Sequence, residues 1–274
     1  MKLLSMVLLL ASMAAAQTTA SQGNSPSAQT DQTRLLQTIR GRYDLPWQHG
    51  LGSFSCQVRF NWNEHLTQSL HRPIPEGEPT VRALGAAKTV LSVNQAAGPK
   101  VSSTFADPQP APGSTAAGLQ RSLANITRSA IEAWMPFSTG SMLPVGQTNY
   151  MILPTDQGYR IDLTGEGIAS TMDLDRSGAI THSTSRIPGQ TLRYDTTFVP
   201  AAAGLELSHV RTVTSTSDTG STALGSPVSD TSFDFTYQAI DGVSIPATLK
   251  VQAKGGSLWS ITLSGCSVRR LSTP

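Results

Sequence analysis

Charge is scarce in this chain. Only 14% of its 274 residues are charged and 6% are aromatic, against about a quarter charged in an ordinary soluble domain. Lys+Arg 20 against Asp+Glu 18 leaves +2, spread along the sequence. That balance excludes the basic face of a nucleic-acid-binding protein and the polybasic patch of a membrane-surface protein. Beyond the first twenty residues no apolar run reaches the length that spans a bilayer, so no transmembrane segment is expected in the mature chain. With two cysteines, neither a Cys-rich metal site nor a disulfide-dense scaffold is available. Ser and Thr make up about a quarter of the chain instead, which suits an exported, β-rich protein.

The start of the chain carries an address. Met1-Lys2 is positive, Leu3 to Met13 is apolar, and Ala14-Ala15-Ala16 is a small-residue cleavage site, the pattern of a secretory signal over residues 1–16. The polar stretch 17–30 reads as a disordered linker, and residues 31–271 as a single domain. Three times as many Arg as Lys fits a bacterial origin, with the periplasm or the medium as the destination. In that oxidising space Cys56 and Cys266 are expected to form a disulfide. Closing a loop of about 211 residues contributes roughly 5 kcal/mol at most in the chain-entropy model. Such a bridge requires the first and last strands to be neighbours.

Along the chain, Asp31 is placed to cap a short helix bearing Leu35, Ile39 and Tyr43, ended by Pro46. Phe54, Cys56, Val58 and Phe60 alternate with polar residues, the pattern of a half-buried strand. A turn or helix follows with Leu66 and Leu70, then a Pro-rich connector (RPIPEGEP), then a hairpin around Ala97-Gly98-Pro99. Leu119, Leu123, Ile126, Ala130 and Trp134 repeat at helical spacing, and Pro136 is expected to end that helix. From Asn149 the period changes to two. Runs around Ile152, Ile161, Met172, Tyr194 and Phe235, separated by turn signals and without intervening helices, predict an antiparallel meander. Thr214 to Asp230 reads as a mobile loop. The fold class is α+β.

Few motifs carry chemistry. Asp173 to Ile180 imitates the first eight positions of a calcium loop, but Thr184 stands where the bidentate carboxylate belongs; a polar hairpin turn, with weak calcium binding as the alternative, is the reading. The Gly clusters GSTAAGLQ and GEGIAS lack the Lys or the helix that holds phosphate. No G-x-S-x-G and no H-E-x-x-H occurs. His65 and His71 fall on opposed helix faces, and a triad drawing on His182 or His209 has no local signature. Trp47, Trp62, Trp134 and Trp259 read as packing residues. Accordingly no catalytic residue, metal ligand or cofactor is assigned, and the protein is expected not to be an enzyme.

The order of a helix, a Cys-bearing strand, further helices and a long β-meander ending in FDFTYQAIDGVSIPATLKV resembles the periplasmic lipoprotein carriers of the LolA type. Its most specific part is the strand-turn-strand with Tyr237, Asp241-Gly242 and Pro246. The resemblance implies an incomplete antiparallel barrel with helices on its concave face. It further implies a carrier or chaperone for an acyl chain or other hydrophobic molecule. An open curved sheet with an apolar inner face needs a helix or a ligand to cover it, and Leu123, Ile126, Trp134, Ile161 and Tyr194 are the expected lining of such a cleft. The alternative is a non-catalytic structural domain with an envelope-protein partner; a secreted hydrolase ranks third. A carrier should show a cavity of several hundred Å³, an interaction domain a solid core.

Overall fold

The computed structural model describes residues 26–75, 77–106, 109–144, 149–165, 168–216 and 227–271. The signal expected over residues 1–16, most of the linker 17–30 and the centre of the loop 214–230 lie outside them. In chain order the elements are α1 (Pro26–Arg40), β1 (Leu51–Phe60), α2 (Trp62–Leu70), α3 (Pro79–Ala86), β2 (Lys88–Asn94), β3 (Gly98–Thr104) and α4 (Thr115–Ser138). Nine strands follow: β4 (Tyr150–Thr155), β5 (Gly158–Gly165), β6 (Ile168–Asp175), β7 (Ile180–Ile187), β8 (Gln190–Ala201), β9 (Gly204–Thr216), β10 (Pro227–Ile240), β11 (Val243–Ala253) and β12 (Leu258–Arg270). All twelve strands form one antiparallel sheet in the order β3-β2-β1-β12-β11-β10-β9-β8-β7-β6-β5-β4. The sheet does not close. It is an α+β incomplete barrel, and among the described residues no helix is long and apolar enough to cross a membrane.

The first and last strands of the described residues are neighbours: β1 pairs with β12. Phe54 lies opposite Val268 and Val58 opposite Leu263, and between them Ser55 faces Ser267 while Gln57 faces Ser264. Two residues of β12, Gly265 and Cys266, stand opposite the single Cys56, and this one extra residue makes a bulge. Gly265 takes φ 56° there, a left-handed conformation that glycine adopts without steric cost. The bulge brings Cys266 against Cys56, with Cα atoms 4.1 Å apart and the sulfurs bonded at 2.13 Å.

Two helices cover different parts of the inner face. α4 is buried along Leu123, Thr127, Ala130, Ile131 and Trp134 and packs on β2, β3, β9 and β11. Phe54 meets Trp134 edge to face at 6.1 Å. Just after α1 the chain instead reaches the β6–β7 turn, where the Tyr43 hydroxyl donates to the Gly178 carbonyl (2.7 Å) and accepts from the Ile180 amide (2.9 Å). Leu36 and Ile39 face inward from this helix.

Several expectations need correction. α1 begins at Pro26, so Asp31 lies within it rather than capping it, and the linker read over 17–30 overlaps its first turn. The helix also ends at Arg40, six residues before Pro46. Pro136 lies inside α4; near a helix end proline costs only the hydrogen bond its missing N–H would make. The Pro-rich connector leads into a further helix, α3, that the sequence did not announce; Glu78 caps it, its side chain accepting from the Thr80 amide. Of the loop 214–230, Thr214 to Thr216 belong to β9 and Pro227 to Asp230 to β10, paired as Thr214 with Ser229 and Ser215 with Pro227. Trp47, Trp62 and Trp134 are buried in the core, with Trp259 half-buried against it.

Candidate functional site

Between α1 and β1 the chain forms a strap, residues 41–48, laid across the inner edge of the sheet. Tyr43 to Trp47 are all buried. Extended backbone in such a position must satisfy its polar groups against something, and the partner is the start of β9. The Leu205 amide donates to the Arg42 carbonyl (2.7 Å), and the Asp44 amide to the Leu205 carbonyl (3.0 Å). Gly204 makes this approach possible. At φ 142°, a Cβ there would lie 2.7 to 2.8 Å from the strap backbone at Arg42, Tyr43 and Asp44. At the far end the Trp47 indole donates to the Ser138 hydroxyl at the end of α4 (3.2 Å).

A narrow cleft runs between the strap, the last turn of α4 and β8 to β11. Its apolar wall is Trp134 and Phe137 from α4, Phe198 from β8, and Leu205 and Leu207 from β9. Its polar wall is Asp44, Glu206, Ser244 and the Tyr237 ring edge. The open space is about 10 Å³, room for about one water molecule. Phe137 fills the rest, edge to face with Phe198 at 5.9 Å and with Tyr194 at 6.4 Å.

The polar wall is built around two carboxyls. The Asp44 side chain is 6% exposed. Burial raises its pKa above the ordinary carboxylate value, opposed by His49, whose Nδ1 lies 3.5 Å away, and by a hydrogen bond with Glu206. Burial likewise raises Glu206, which the Ser244 hydroxyl counters by donating to it and the neighbouring Asp44 reinforces. Two acids at hydrogen-bond distance titrate as a pair. Burial, then the same two acids, also raise the Tyr237 phenol, whose hydroxyl donates to the Leu207 carbonyl (2.6 Å).

The five residues expected to line one apolar cleft are spread across a single core. Leu123 and Trp134 are each 2% exposed and Ile161 0%, while Ile126 and Tyr194 are half-buried against the same cluster. Of the five, Trp134 lines the cleft. Ile161 lies on β5 between Ile152 and Met172, where the sheet lies toward α1 rather than α4. The strap and the carboxyl pair were missed by sequence reasoning, because Asp44 and Glu206 are remote in the chain and neither belongs to a motif.

The remaining candidates sit on the outer face. Arg160, Asp173, His182, Asp195 and Arg211 are directly opposite one another on β5 to β9. Their side chains form a ladder: Arg160 to Asp173 (2.8 Å), His182 to Asp195 (2.7 Å), and Arg211 onward to Asp230 (2.7 Å). His182 also reaches the Thr184 hydroxyl at 3.0 Å, but Arg193 shares the same Asp195 oxygen (3.3 Å). On an open sheet face this is cross-strand pairing. His209 pairs with Asp234 in the same way (2.7 Å). The calcium-like stretch is a hairpin turn in which Asp175 accepts from the Ser177 hydroxyl (2.6 Å) and the Ala179 amide (3.0 Å), while Asp173 is committed to Arg160. Among the described residues no group of three or more His, Cys, Asp or Glu is placed to hold a metal ion.

No family model matches the chain, and neither a curated protein nor a solved structure was found to be similar to it.

Proposed function

We propose that the protein is an exported binding protein of the bacterial envelope that takes up an acyl chain or other hydrophobic molecule against the inner face of the sheet, beneath the end of α4. The observation that carries this reading is the seam where Trp134 and Phe137 meet Phe198, Leu205 and Leu207. These residues form the apolar wall of the cleft, opposite Asp44, Glu206 and Ser244, and lie beside the turn of α4 that Pro136 weakens, since proline cannot donate to the carbonyl of Glu132. The ligand's place is filled by Phe137. Uptake therefore requires the last turn of α4 to swing out and the ligand to replace that side chain. Exposing a phenylalanine costs roughly 1.5–3 kcal/mol, and each buried methylene returns roughly 0.8 kcal/mol. About four methylenes offset the exchange. The disulfide supports the oxidising destination.

A second reading is favoured by the small size of the cleft: a structural domain with a solid core that binds an envelope-protein partner. Native mass spectrometry of protein secreted by an exporting host and purified without detergent separates the two. The carrier reading predicts a co-purifying lipid or fatty acid of defined mass that solvent extraction removes, and its return on adding a long-chain fatty acid. Protein that carries no such mass and gains none from added fatty acid or lysolipid overturns it in favour of the interaction domain.

A further inference from the structure

We propose that Asp44 and Glu206 form a proton-operated latch: the proton they share fastens the strap 41–48 to β9, and its loss with rising pH loosens the strap and opens the seam beside α4. The geometry has three parts. The strap is joined to β9 by two backbone hydrogen bonds at Arg42, Asp44 and Leu205. Asp44, in its middle, has a buried side chain that lines the same cleft as Glu206, the residue next to Leu205 on the strand. The cleft lies directly against both carboxyls, so separation of strap and strand widens the space that Phe137 and Tyr237 line.

The groups facing the pair from each packed element are few. The strap side supplies His49, half-exposed, beside Asp44. β10 supplies the Tyr237 phenol, β11 the Ser244 hydroxyl, and α4 the uncharged Trp134 and Ser138. No buried arginine or lysine stands among these lining groups to neutralise a second negative charge. A proton between the carboxyls turns their repulsion into a hydrogen bond; without it both are anions in a site that excludes water. Burial raises both acids, so the closed form holds its protons more tightly than an open one. By linkage, closure is favoured at low pH and is lost as pH rises through the ordinary carboxylate range toward the raised values.

The latch is tested on the full chain with its disulfide intact and needs no ligand, so its outcome is independent of the carrier reading. Amide hydrogen exchange of peptides covering residues 41–48 and 204–208 is followed from pH 4.5 to pH 8 and corrected for intrinsic rates. The expected result is a severalfold loss of protection across that range in the parent. Glu206→Gln, which keeps a donor toward Asp44, and Asp44→Asn should each hold the low-pH protection throughout, while His49→Gln should keep the parent's pH dependence. Protection in the parent that does not change with pH overturns the latch, as does a dependence that persists in Glu206→Gln and Asp44→Asn or disappears in His49→Gln.

Discussion

Tyr43 and Gly204 show how much of this molecule hangs on single atoms. The Tyr43 hydroxyl serves a carbonyl and an amide of the β6–β7 turn at once. Tyr43→Phe leaves both without that partner, which costs about 1–3 kcal/mol for each buried group left unsatisfied; thermal unfolding of the variant should show a clear loss of stability. Gly204→Ala should do comparable damage for a steric reason, since its Cβ has no room beside the strap. Chemical denaturation of that variant should give a lower midpoint, with exchange protection lost first at residues 41–48. Opposite in sign is Glu206→Gln. Because burial raises Asp44 and Glu206, the ionised pair weakens the fold at neutral pH, so this variant should melt above the parent at pH 8 and close to it at pH 4.5. A parent whose melting temperature is the same at both pH values, with no gain in the variant, would contradict this. None of this was legible in the sequence. An isolated Asp and an isolated Glu carry no signal until a fold brings them together, whereas Cys56 and Cys266 could be paired by elimination and compartment.

At the scale of elements, periodicity served best where one face is apolar. The stripe of α4 and the alternation of β1 are plain in the sequence because Leu123, Ala130, Trp134, Phe54 and Val58 all point into one core. β7 escaped notice because its inner face carries a hydroxyl: Ser183 is buried between Met172 and Tyr194. α3, eight residues long, is too short for a periodic signal and begins at a proline that reads equally well as part of a linker. Pro136 does not stop α4 because, two residues from the end of the helix, it removes one hydrogen bond without reversing the chain. In the proposed carrier, α4 is the element that must move for a ligand to enter. Trp134→Ala should cost about 3–5 kcal/mol, measured by denaturant unfolding. Phe137→Ala should cost less than Trp134→Ala, because it opens the seam rather than the centre of the core, and should increase the uptake of a fluorescent long-chain fatty acid. Uptake that falls in Phe137→Ala would argue that the phenylalanine holds the ligand instead of standing in its place.

For the molecule as a whole, the decisive feature is that its first and last strands are neighbours, stitched by a disulfide across 210 residues. The meander was legible from the turn spacing and its incomplete closure only through the family resemblance, while the bulge at Gly265 that aligns the cysteines was not legible, since a lone glycine in a strand has several meanings. Replacing both cysteines by serine should lower stability by roughly 2–5 kcal/mol while leaving the order of strands intact. An unchanged melting temperature in non-reducing buffer would show that the bridge contributes nothing. Contact of a ligand with the inner face can be read by photolabelling. The oxidised protein is incubated with a palmitate analogue bearing a diazirine on its chain, irradiated, and digested for mass spectrometry. Labels competed by unlabelled palmitate are expected on the end of α4 around Trp134 and Phe137 and on the facing stretches of β8 and β9. Labels confined to the outer face of the sheet, or none that unlabelled palmitate displaces, would contradict the carrier reading.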